Sequence, residues 1–353
     1  MIKTKIIKID PLNPAENDLK AAAKVLARGG LVILPTETVY GIAANSRNKK
    51  AVDNLYQIKQ RPKNKLFSLH IERKERIEEF AKDIPVSAYK LIHEFWPGPL
   101  TIILKSKSNG TIGIRMPDDE VCSRVIAMAK VPVVMPSANI SGNPAPVEFS
   151  QAIKDLDGLV DLALDSGNTK LGGESTIVDL TQDAFQIIRE GVIKKSAIEE
   201  VLAKKLVLFV CTGNSCRSVM AKALLEKILK QKNRRDVEVN SAGIMMLSGL
   251  GATESTKDVL RKEGIDVSNH RSKRASPELV RRSDLVLVME EIHREKILQI
   301  APDVKNRVFL LKEFAKIDEY ELGVEDPVGR SLEFYDYTLG VIKEAVIQVA
   351  EMI

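Results

Sequence analysis

The chain has 353 residues, 44% of them hydrophobic, and its three cysteines are too few for a disulfide scaffold, which favours a reducing compartment. Its net charge of +5, from 53 basic and 48 acidic residues, gives no argument for more than weak nucleic acid binding. No stretch approaches the ~18 apolar residues of a membrane helix, and the first residues form no secretion signal. We therefore expect a cytoplasmic protein of about two domains that does not bind membranes.

Short apolar strands and a few helices make up the first half of the chain. Apolar residues at helical spacing predict helices over residues 14–28 and 50–60, and residues 31–45 predict a strand, a turn and a second strand. Further strands are predicted over residues 66–71, 100–104, 112–115, 131–135, 162–165, 175–180 and 185–189. This pattern predicts an α+β domain around a twisted, partly antiparallel sheet.

Polar side chains stand where several of these elements end. Lys59 and Arg61 lie at the end of the second helix, where cations can bind phosphate or carboxylate. A polar turn with Ser137 and Asn139 follows a strand, and residues 172–176 predict a second such turn. Each cluster alone is more often an ordinary turn than a ligand site.

Seven short motifs within about residues 10–195 together resemble the YrdC-like family of L-threonylcarbamoyladenylate synthases, in the order of that family. They are Pro35-Thr-Glu-Thr-Val-Tyr-Gly41, Lys59-x-Arg61-Pro62, Trp96-Pro-Gly-Pro-Leu-Thr101, Arg115-Met-Pro117, Pro136-Ser-Ala-Asn-Ile-Ser-Gly142, Glu174-Ser-Thr-Ile-Val-Asp179 and Ile188-Arg-x-Gly191. The resemblance implies that L-threonine, bicarbonate and ATP, with Mg²⁺ bridging the triphosphate, give threonylcarbamoyl-AMP and pyrophosphate. The adenylate would then pass to a separate tRNA-modifying enzyme.

The resemblance also implies an ATP and threonine site made of cations and hydroxyl groups. Its residues are Thr36, Thr38, Lys59, Arg61, His70, Arg115, Ser137, Asn139, Ser175 and Arg189. The cations would neutralise bicarbonate and triphosphate, and neither a covalent nucleophile nor a metal site of protein side chains is predicted. His70 could instead be an ordinary hydrogen-bonded strand histidine. The acidic residues 118–120, where the family often has His-Pro, are unexpected beside a triphosphate.

A different class of function stays open for this half, a noncatalytic RNA-binding module in which the same polar residues contact phosphate. Residues 194–205 join the two halves, and a helix predicted over 195–202 favours an ordered connection. We therefore predict one domain over residues 1–200 and a second over residues 205–353.

The second half opens with an apolar strand, a short loop and a helix over residues 206–229. The loop is Cys211, Thr212, Gly213, Asn214, Ser215, Cys216 and Arg217, with Ser218 after it. Its backbone N–H groups and the helix start can surround a dianion and favour the thiolate form of Cys211. Arg217 can hold two phosphoryl oxygens, and the Ser218 hydroxyl can donate to the thiolate. This arrangement predicts a nucleophile at the base of a phosphate-binding loop.

About residues 205–353 resemble the low-molecular-weight protein-tyrosine-phosphatase family. Beyond the loop, the resemblance rests on Ser241-Ala-Gly243, Gly264-Ile-Asp-Val-Ser-Asn-His-Arg-Ser-Lys273, Ser283-Asp-Leu-Val-Leu-Val-Met-Glu290 and Glu325-Asp326-Pro327. It implies a doubly wound parallel sheet with the phosphate loop after its first strand. It further implies a phosphocysteine intermediate, with Asp326 protonating the leaving group and then activating water, and no cofactor.

Two positions bear on the substrate, which the resemblance implies is a phosphoprotein. Tyrosine-directed members commonly carry a bulky apolar residue at the position of Ser215 and aromatic residues where this chain has Val328 and Gly329. Ser215 could accept a hydrogen bond from a guanidinium group, so phosphoarginine is favoured and phosphotyrosine stays open. An arsenate reductase would need a further thiol after Cys216, which the chain lacks. A phosphate sensor without turnover is the remaining alternative.

Overall fold

The structure, a computed structural model, describes residues 3–245 and 248–353. The chain divides into two units, Met1–Val201 and Leu202–Ile353. Within the described residues, no helix combines the length and the apolar character needed to cross a membrane.

The first unit is built on a mixed sheet. Its strands are β1 (Lys5–Lys8), β2 (Val32–Leu34), β3 (Gly41–Asn45), β4 (Leu69–His70), β5 (Leu100–Lys105), β6 (Thr111–Arg115), β7 (Val133–Val134), β8 (Leu162–Asp165), β9 (Thr176–Asp179) and β10 (Gln186–Arg189). Its helices are α1 (Glu16–Ala27), α2 (Lys49–Lys59), α3 (Ile77–Phe80), α4 (Val86–Phe95), α5 (Glu120–Ala129), α6 (Phe149–Lys154) and α7 (Lys195–Ala203), the last of which spans the division between the units.

The sheet runs in the order β1-β8-β2-β3-β7-β4-β6-β5-β9-β10. The pairs β1·β8, β2·β8, β4·β6 and β5·β9 are parallel and the other neighbours antiparallel, which confirms the predicted α+β class. The strand β4 is shorter than the predicted range 66–71. The Arg61 side chain donates to the carbonyl oxygens of Lys65 and Leu66, at 2.9 and 3.0 Å. These two carbonyl groups therefore accept from a side chain instead of from a neighbouring strand.

Two helices show how the local sequence positions the first site. The buried residues Leu19, Ala22, Ala23 and Leu26 form one face of α1, which packs with α5 against the sheet. The helix α2 begins after Asn48, whose side chain accepts the Ala51 N–H, and ends at Gln60 in the left-handed conformation. Lys59 and Arg61 therefore lie on either side of a fixed helix end.

The second unit is a four-stranded parallel sheet between helices. Its strands are β11 (Lys205–Cys211), β12 (Val237–Gly243), β13 (Leu285–Val288) and β14 (Val308–Leu310), in the order β12-β11-β13-β14. Its helices are α8 (Arg217–Gln231), α9 (Glu254–Lys262), α10 (Pro277–Arg282), α11 (Glu291–Ile300), α12 (Leu311–Phe314) and α13 (Leu332–Met352). This confirms the predicted doubly wound parallel sheet. Helices α8 and α13 pack together in a core that includes the buried side chains of Cys211 and Cys216.

Gly243, the last residue of β12, allows the loop after β11 to lie directly against this strand. A Cβ atom at this position would stand 2.7 Å from the Thr212 carbonyl oxygen and 3.0 Å from the Asn214 backbone nitrogen. Both neighbours are backbone atoms, so neither can rotate away. Any side chain here would displace the loop.

We expect Gly243→Ala to lower the free energy of unfolding of the second unit by about 1–3 kcal/mol, the usual cost of an overpacked buried site. The control is Gly340→Ala in α13, where an added Cβ would meet no atom within 4 Å and alanine favours the helix. Urea denaturation of the two full-length variants measures the difference. Equal stability of Gly243→Ala and wild type would mean that the loop can retreat from β12.

Candidate active sites

A cavity of about 120 Å³ in the first unit brings the predicted ligand residues together. The predicted residues that line it are Thr36, Arg61, His70, Arg115, Ser137, Ser175 and Arg189. The other three contact lining residues. Thr38 Oγ1 lies 2.8 Å from Thr36 Oγ1, Lys59 donates to the Ser137 carbonyl at 2.6 Å, and Ser137 Oγ donates to Asn139 Oδ1 at 2.6 Å.

Lys59 faces the polar turn at Ser137 and Asn139 rather than the cavity. Only 2% of the residue is exposed, and its Nζ donates to the Ser137 carbonyl and, at 2.7 Å, to Asn139 Oδ1. Burial, and then the nearby Arg61, lowers the pKa of Lys59 to about 8. Lys59 thus holds the turn that lines the cavity, and its direct contact with substrate anions stays a prediction.

Arg115 is oriented by a buried carboxylate that the predicted set of site residues omitted. Its Nη2 donates to Glu37 Oε1 at 2.7 Å and to Thr38 Oγ1 at 2.6 Å. Both charged side chains are buried, and among the described residues Glu37 Oε2 and Arg115 Nε have no hydrogen-bond partner. Glu37 stands inside the motif that begins at Pro35, but the sequence does not show which cation it pairs with.

We expect Glu37→Gln to destabilise the first unit by about 3 kcal/mol, because it leaves the Arg115 guanidinium buried without its counter-charge. The control is Asp53→Asn, which removes the exposed ion pair between Lys63 and Asp53 and should change stability by less than ~1 kcal/mol. Urea denaturation of both full-length variants is the measurement. If the Glu37→Gln chain were as stable as the Asp53→Asn control, Glu37 would not be the counter-charge that stabilises the buried Arg115.

The remaining lining residues give the cavity both hydrogen-bond donors and acceptors. Arg189 donates to the Ser175 carbonyl at 2.8 Å and pairs with Glu174. Burial, and then Arg115, lowers the pKa of His70 to about 3, so its ring is neutral. Because the Ser68 carbonyl 3.2 Å from Nδ1 can only accept, Nδ1 carries the proton and Nε2 is an acceptor.

The acidic segment 118–120 has a structural explanation. Asp119 caps α5, with its Oδ1 accepting the Cys122 N–H at 2.8 Å, and burial raises the pKa of this carboxyl group. Asp118 and Glu120 are exposed to solvent. The cap accounts for an acidic residue at this point of the chain.

In the second unit, Cys211 ends the central strand β11 and Arg217 begins α8, so the loop between them lies at the carboxyl edge of the sheet. Ser218 Oγ is 2.9 Å from Cys211 Sγ. The Asn214 amide donates to Ser218 Oγ at 3.0 Å and to Ser241 Oγ at 2.9 Å, while its Oδ1 accepts the Lys273 N–H. Ser218 Oγ accepts from Asn214, which leaves its own proton free to donate to the sulfur when Cys211 is a thiolate.

Arg217 is 1% exposed and occupies the centre of a ring of acceptors. Its Nη1 donates to the carboxylate of Glu290 and, at 2.8 Å, to the Val324 carbonyl. Its Nη2 donates to the carboxylate of Asp326 and, at 3.1 Å, to Thr212 Oγ1. The structure therefore brings Asp326 to Arg217.

Two residues of this site, Glu290 and His293, lie outside the set predicted from sequence. Glu290 caps α11 and pairs with Arg217, and His293 is fully buried beside Thr212. The spacing Glu290-x-x-His293 at a helix start could have indicated both residues. Each side chain accepts a hydrogen bond from the backbone N–H of the other residue, which is the capping-box arrangement.

The residues that bear on substrate lie at the rim of the loop. Ser215 is partly exposed, and its Oγ is 3.6 Å from Cys216 Sγ. Cys216 also lies 3.4 Å from Thr253 Oγ1 and is buried, and it and Cys211 are free thiols. Val328 is 60% exposed, which leaves this side of the loop open.

Comparison with known proteins gives each unit a family. Residues 24–191 match the Sua5/YciO/YrdC family model, described as telomere recombination, and residues 206–353 match that of low molecular weight phosphotyrosine protein phosphatase. A putative threonylcarbamoyl-AMP synthase of Methanocaldococcus jannaschii is 40% identical, over 54% of this chain and 95% of that protein. The probable low molecular weight protein-tyrosine-phosphatase EpsP of Ralstonia nicotianae is 38% identical, over 40% of this chain and 91% of that protein.

The chain therefore belongs to both families, one in each unit. The crystal structure of P. abyssi Sua5 complexed with L-threonine matches with a TM-score of 0.55 and 26% identity, covering 68% of this chain and 92% of that chain. The chain spans 57% of the length of the Pyrococcus abyssi threonylcarbamoyl-AMP synthase, to which it is 37% identical.

Proposed function

We propose that the first unit makes threonylcarbamoyl-AMP and pyrophosphate from L-threonine, bicarbonate and ATP. The observation that carries this proposal is the gathering of the ten predicted residues in and around one cavity. The similarity to P. abyssi Sua5, whose crystal structure is a complex with L-threonine, supports threonine as the amino acid. The product would pass to a separate enzyme that modifies tRNA, and we place this reaction in the cytoplasm.

Charge neutralisation and positioning account for the chemistry. Arg61, Arg115 and Arg189 line the cavity and would balance the charge of bicarbonate and the triphosphate as carbamate and phosphate oxygens approach. Mg²⁺ would enter with ATP and bridge its phosphates, which requires few protein ligands. The hydroxyl groups of Thr36 and Ser175 would bind threonine and phosphate oxygens.

Pyrophosphate release by the full chain tests this function. Release that requires threonine and bicarbonate together supports the synthase. RNA binding without such turnover would instead support the noncatalytic RNA-binding module.

We propose that the second unit is a protein phosphatase that acts through a phosphocysteine. The Cys211 sulfur attacks phosphorus, the bond to the substrate oxygen or nitrogen breaks, and Asp326 donates a proton to that leaving atom. Water, deprotonated by Asp326, then attacks phosphorus and expels the sulfur. The Ser218 proton, directed at Cys211 Sγ, supports the departing thiolate. A burst of p-nitrophenol from p-nitrophenyl phosphate distinguishes this enzyme from a phosphate sensor.

We further propose phosphoarginine, rather than phosphotyrosine, as the preferred phosphorylated residue. The small hydroxyl side chain of Ser215 and the exposed Val328 leave room and an acceptor for a guanidinium group, and provide little surface for ring stacking. The test compares phosphoarginine and phosphotyrosine peptides with wild type and Ser215→Ile. We expect Ser215→Ile to move the ratio of kcat/KM values at least ~tenfold toward phosphotyrosine. If wild type and Ser215→Ile gave the same ratio of kcat/KM values for the two peptides, the argument from Ser215 for phosphoarginine would fail.

A further inference from the structure

Thr212 and His293 form a pair beside Arg217 that the proposed reaction does not yet use. Thr212 follows the nucleophile directly, and His293 lies in the first turn of α11 with no exposed surface. The His293 Nε2 atom is 3.0 Å from Thr212 Oγ1, and Arg217 Nη2 is 3.1 Å from the same oxygen. One hydroxyl group thus connects the buried ring to the guanidinium.

The backbone fixes which nitrogen of His293 carries a proton. The Glu290 N–H donates to Nδ1 at 3.0 Å, and because a backbone amide can only donate, Nδ1 is an acceptor and Nε2 a donor. Burial, and then Arg217, lowers the pKa of His293 to about 4, so the ring is neutral near pH 7. The charged groups facing it are Arg217, Glu290 and Asp326.

In the proposed reaction, Thr212 would be the partner of Arg217 Nη2 that stays in place. The other partner of this nitrogen is the Asp326 carboxylate, which has to turn toward the leaving group to protonate it. Thr212 Oγ1 accepts hydrogen bonds from both Arg217 and His293, so its lone pairs are held in fixed directions. Its own proton is then left to donate to a third group.

We propose that His293 is a positioning residue that acts through Thr212 to hold Arg217 in its phosphate-binding orientation while Asp326 serves the leaving group. The proposal rests on the proposed phosphatase function. It assigns His293 no contact with substrate. Its effect should therefore appear in kcat more than in KM, because the anchor matters most once Asp326 has left Arg217.

Two substitutions separate the roles of the two ring nitrogens. His293→Gln keeps an N–H donor near the position of Nε2, whereas His293→Asn keeps an amide group near Nδ1 and loses the donor to Thr212. With p-nitrophenyl phosphate and the full chain, we expect His293→Asn to lower kcat about tenfold and His293→Gln by less than ~threefold. Thr212→Val should match His293→Asn, and Thr212→Ser should match His293→Gln.

The double variant His293→Asn/Thr212→Val tests whether the two residues act as one unit. We expect its loss of kcat to equal that of the larger single variant, since both substitutions break the same connection. The proposal would be overturned if the kcat losses of the two single variants multiplied in the double variant. It would also be overturned if His293→Asn had the kcat of wild type. Equal losses for His293→Asn and His293→Gln would overturn it as well.

The controls distinguish this inference from the function on which it rests. The thermal unfolding curve reports whether the second unit of each variant is folded, and threonine-dependent pyrophosphate release reports that the first unit is unaffected. Thr212→Val changes a partly exposed side chain, so it tests the connection even if both His293 variants fail to fold. A wild-type chain that releases no p-nitrophenol contradicts the phosphatase itself, whereas active wild type with equally active Thr212→Val contradicts only the role of His293.

Discussion

The Cys211→Ser chain should hydrolyse p-nitrophenyl phosphate at least ~10⁴-fold more slowly than wild type. A serine hydroxyl holds its proton far more tightly than a thiol, so the donors around the loop cannot make it an effective nucleophile at neutral pH. The Asn214–Ser218 connection would remain, but its proton would point to an oxygen that does not attack. Release of p-nitrophenol, followed at several enzyme concentrations, measures the loss.

Cys216→Ser is the matched control for the nucleophile. Cys216 lies in the same loop and the same core, but its sulfur faces Thr253 and Tyr335 rather than Ser218. We expect this chain to keep most of its turnover, and both variants to keep the pyrophosphate-releasing activity of the first unit. Substantial turnover by Cys211→Ser would rule out a phosphocysteine at this position.

The second large effect is expected from Lys59→Met in the first unit. Methionine fills a similar volume, but the Ser137 carbonyl and Asn139 Oδ1 lose a charged donor in a partly buried turn. We expect threonine-dependent pyrophosphate release to fall by about 10²- to 10³-fold, through movement of the turn that lines the cavity. Lys63→Met, at a side chain that is 71% exposed, is the control and should retain wild-type release. Near-normal turnover by Lys59→Met would contradict this role.

The lowered pKa of Lys59 predicts a pH dependence with a definite sign. As pH rises through about 8, the ammonium group loses a proton and its charge, so pyrophosphate release by wild type should decline. The unfolded chain holds this proton up to the ordinary pKa of 10.5, so the charged form costs stability below pH 8 and the cost disappears between pH 8 and 10.5. Lys59→Arg should lack the decline in turnover near pH 8, which a pH profile of both chains would show.

The sequence was informative where function depends on contiguous residues. The strand, loop and helix around Cys211 and the polar turn at Ser137 were predicted from local pattern, because each is a short segment with fixed internal geometry. The helix end at Lys59 was also predicted, and its cap residues Asn48 and Gln60 explain why. In these places local and tertiary preferences agree.

Long-range pairing accounts for what the sequence could not predict. Glu290 meets Arg217 because β11 and β13 are parallel neighbours that end at the same edge of their sheet, and Glu37 meets Arg115 across a sequence separation of 78 residues. A single sequence carries no signal for which acidic residue will pair with which cation. The inward direction of Lys59 was hidden for the same reason, since its acceptors belong to a turn near residue 137.

The helix α13 contributes Leu339, Ile342, Val346 and Val349, among other buried residues, to the core that also holds Cys211 and Cys216. During translation the strand that carries the nucleophile emerges well before this helix. Until α13 arrives, the part of α8 that packs against α13 is uncovered, so we expect the nascent second unit to be a chaperone client. A chain that ends before α13 could thus have a complete first unit. Its Cys211 thiol would then lie in a core that lacks the residues of α13.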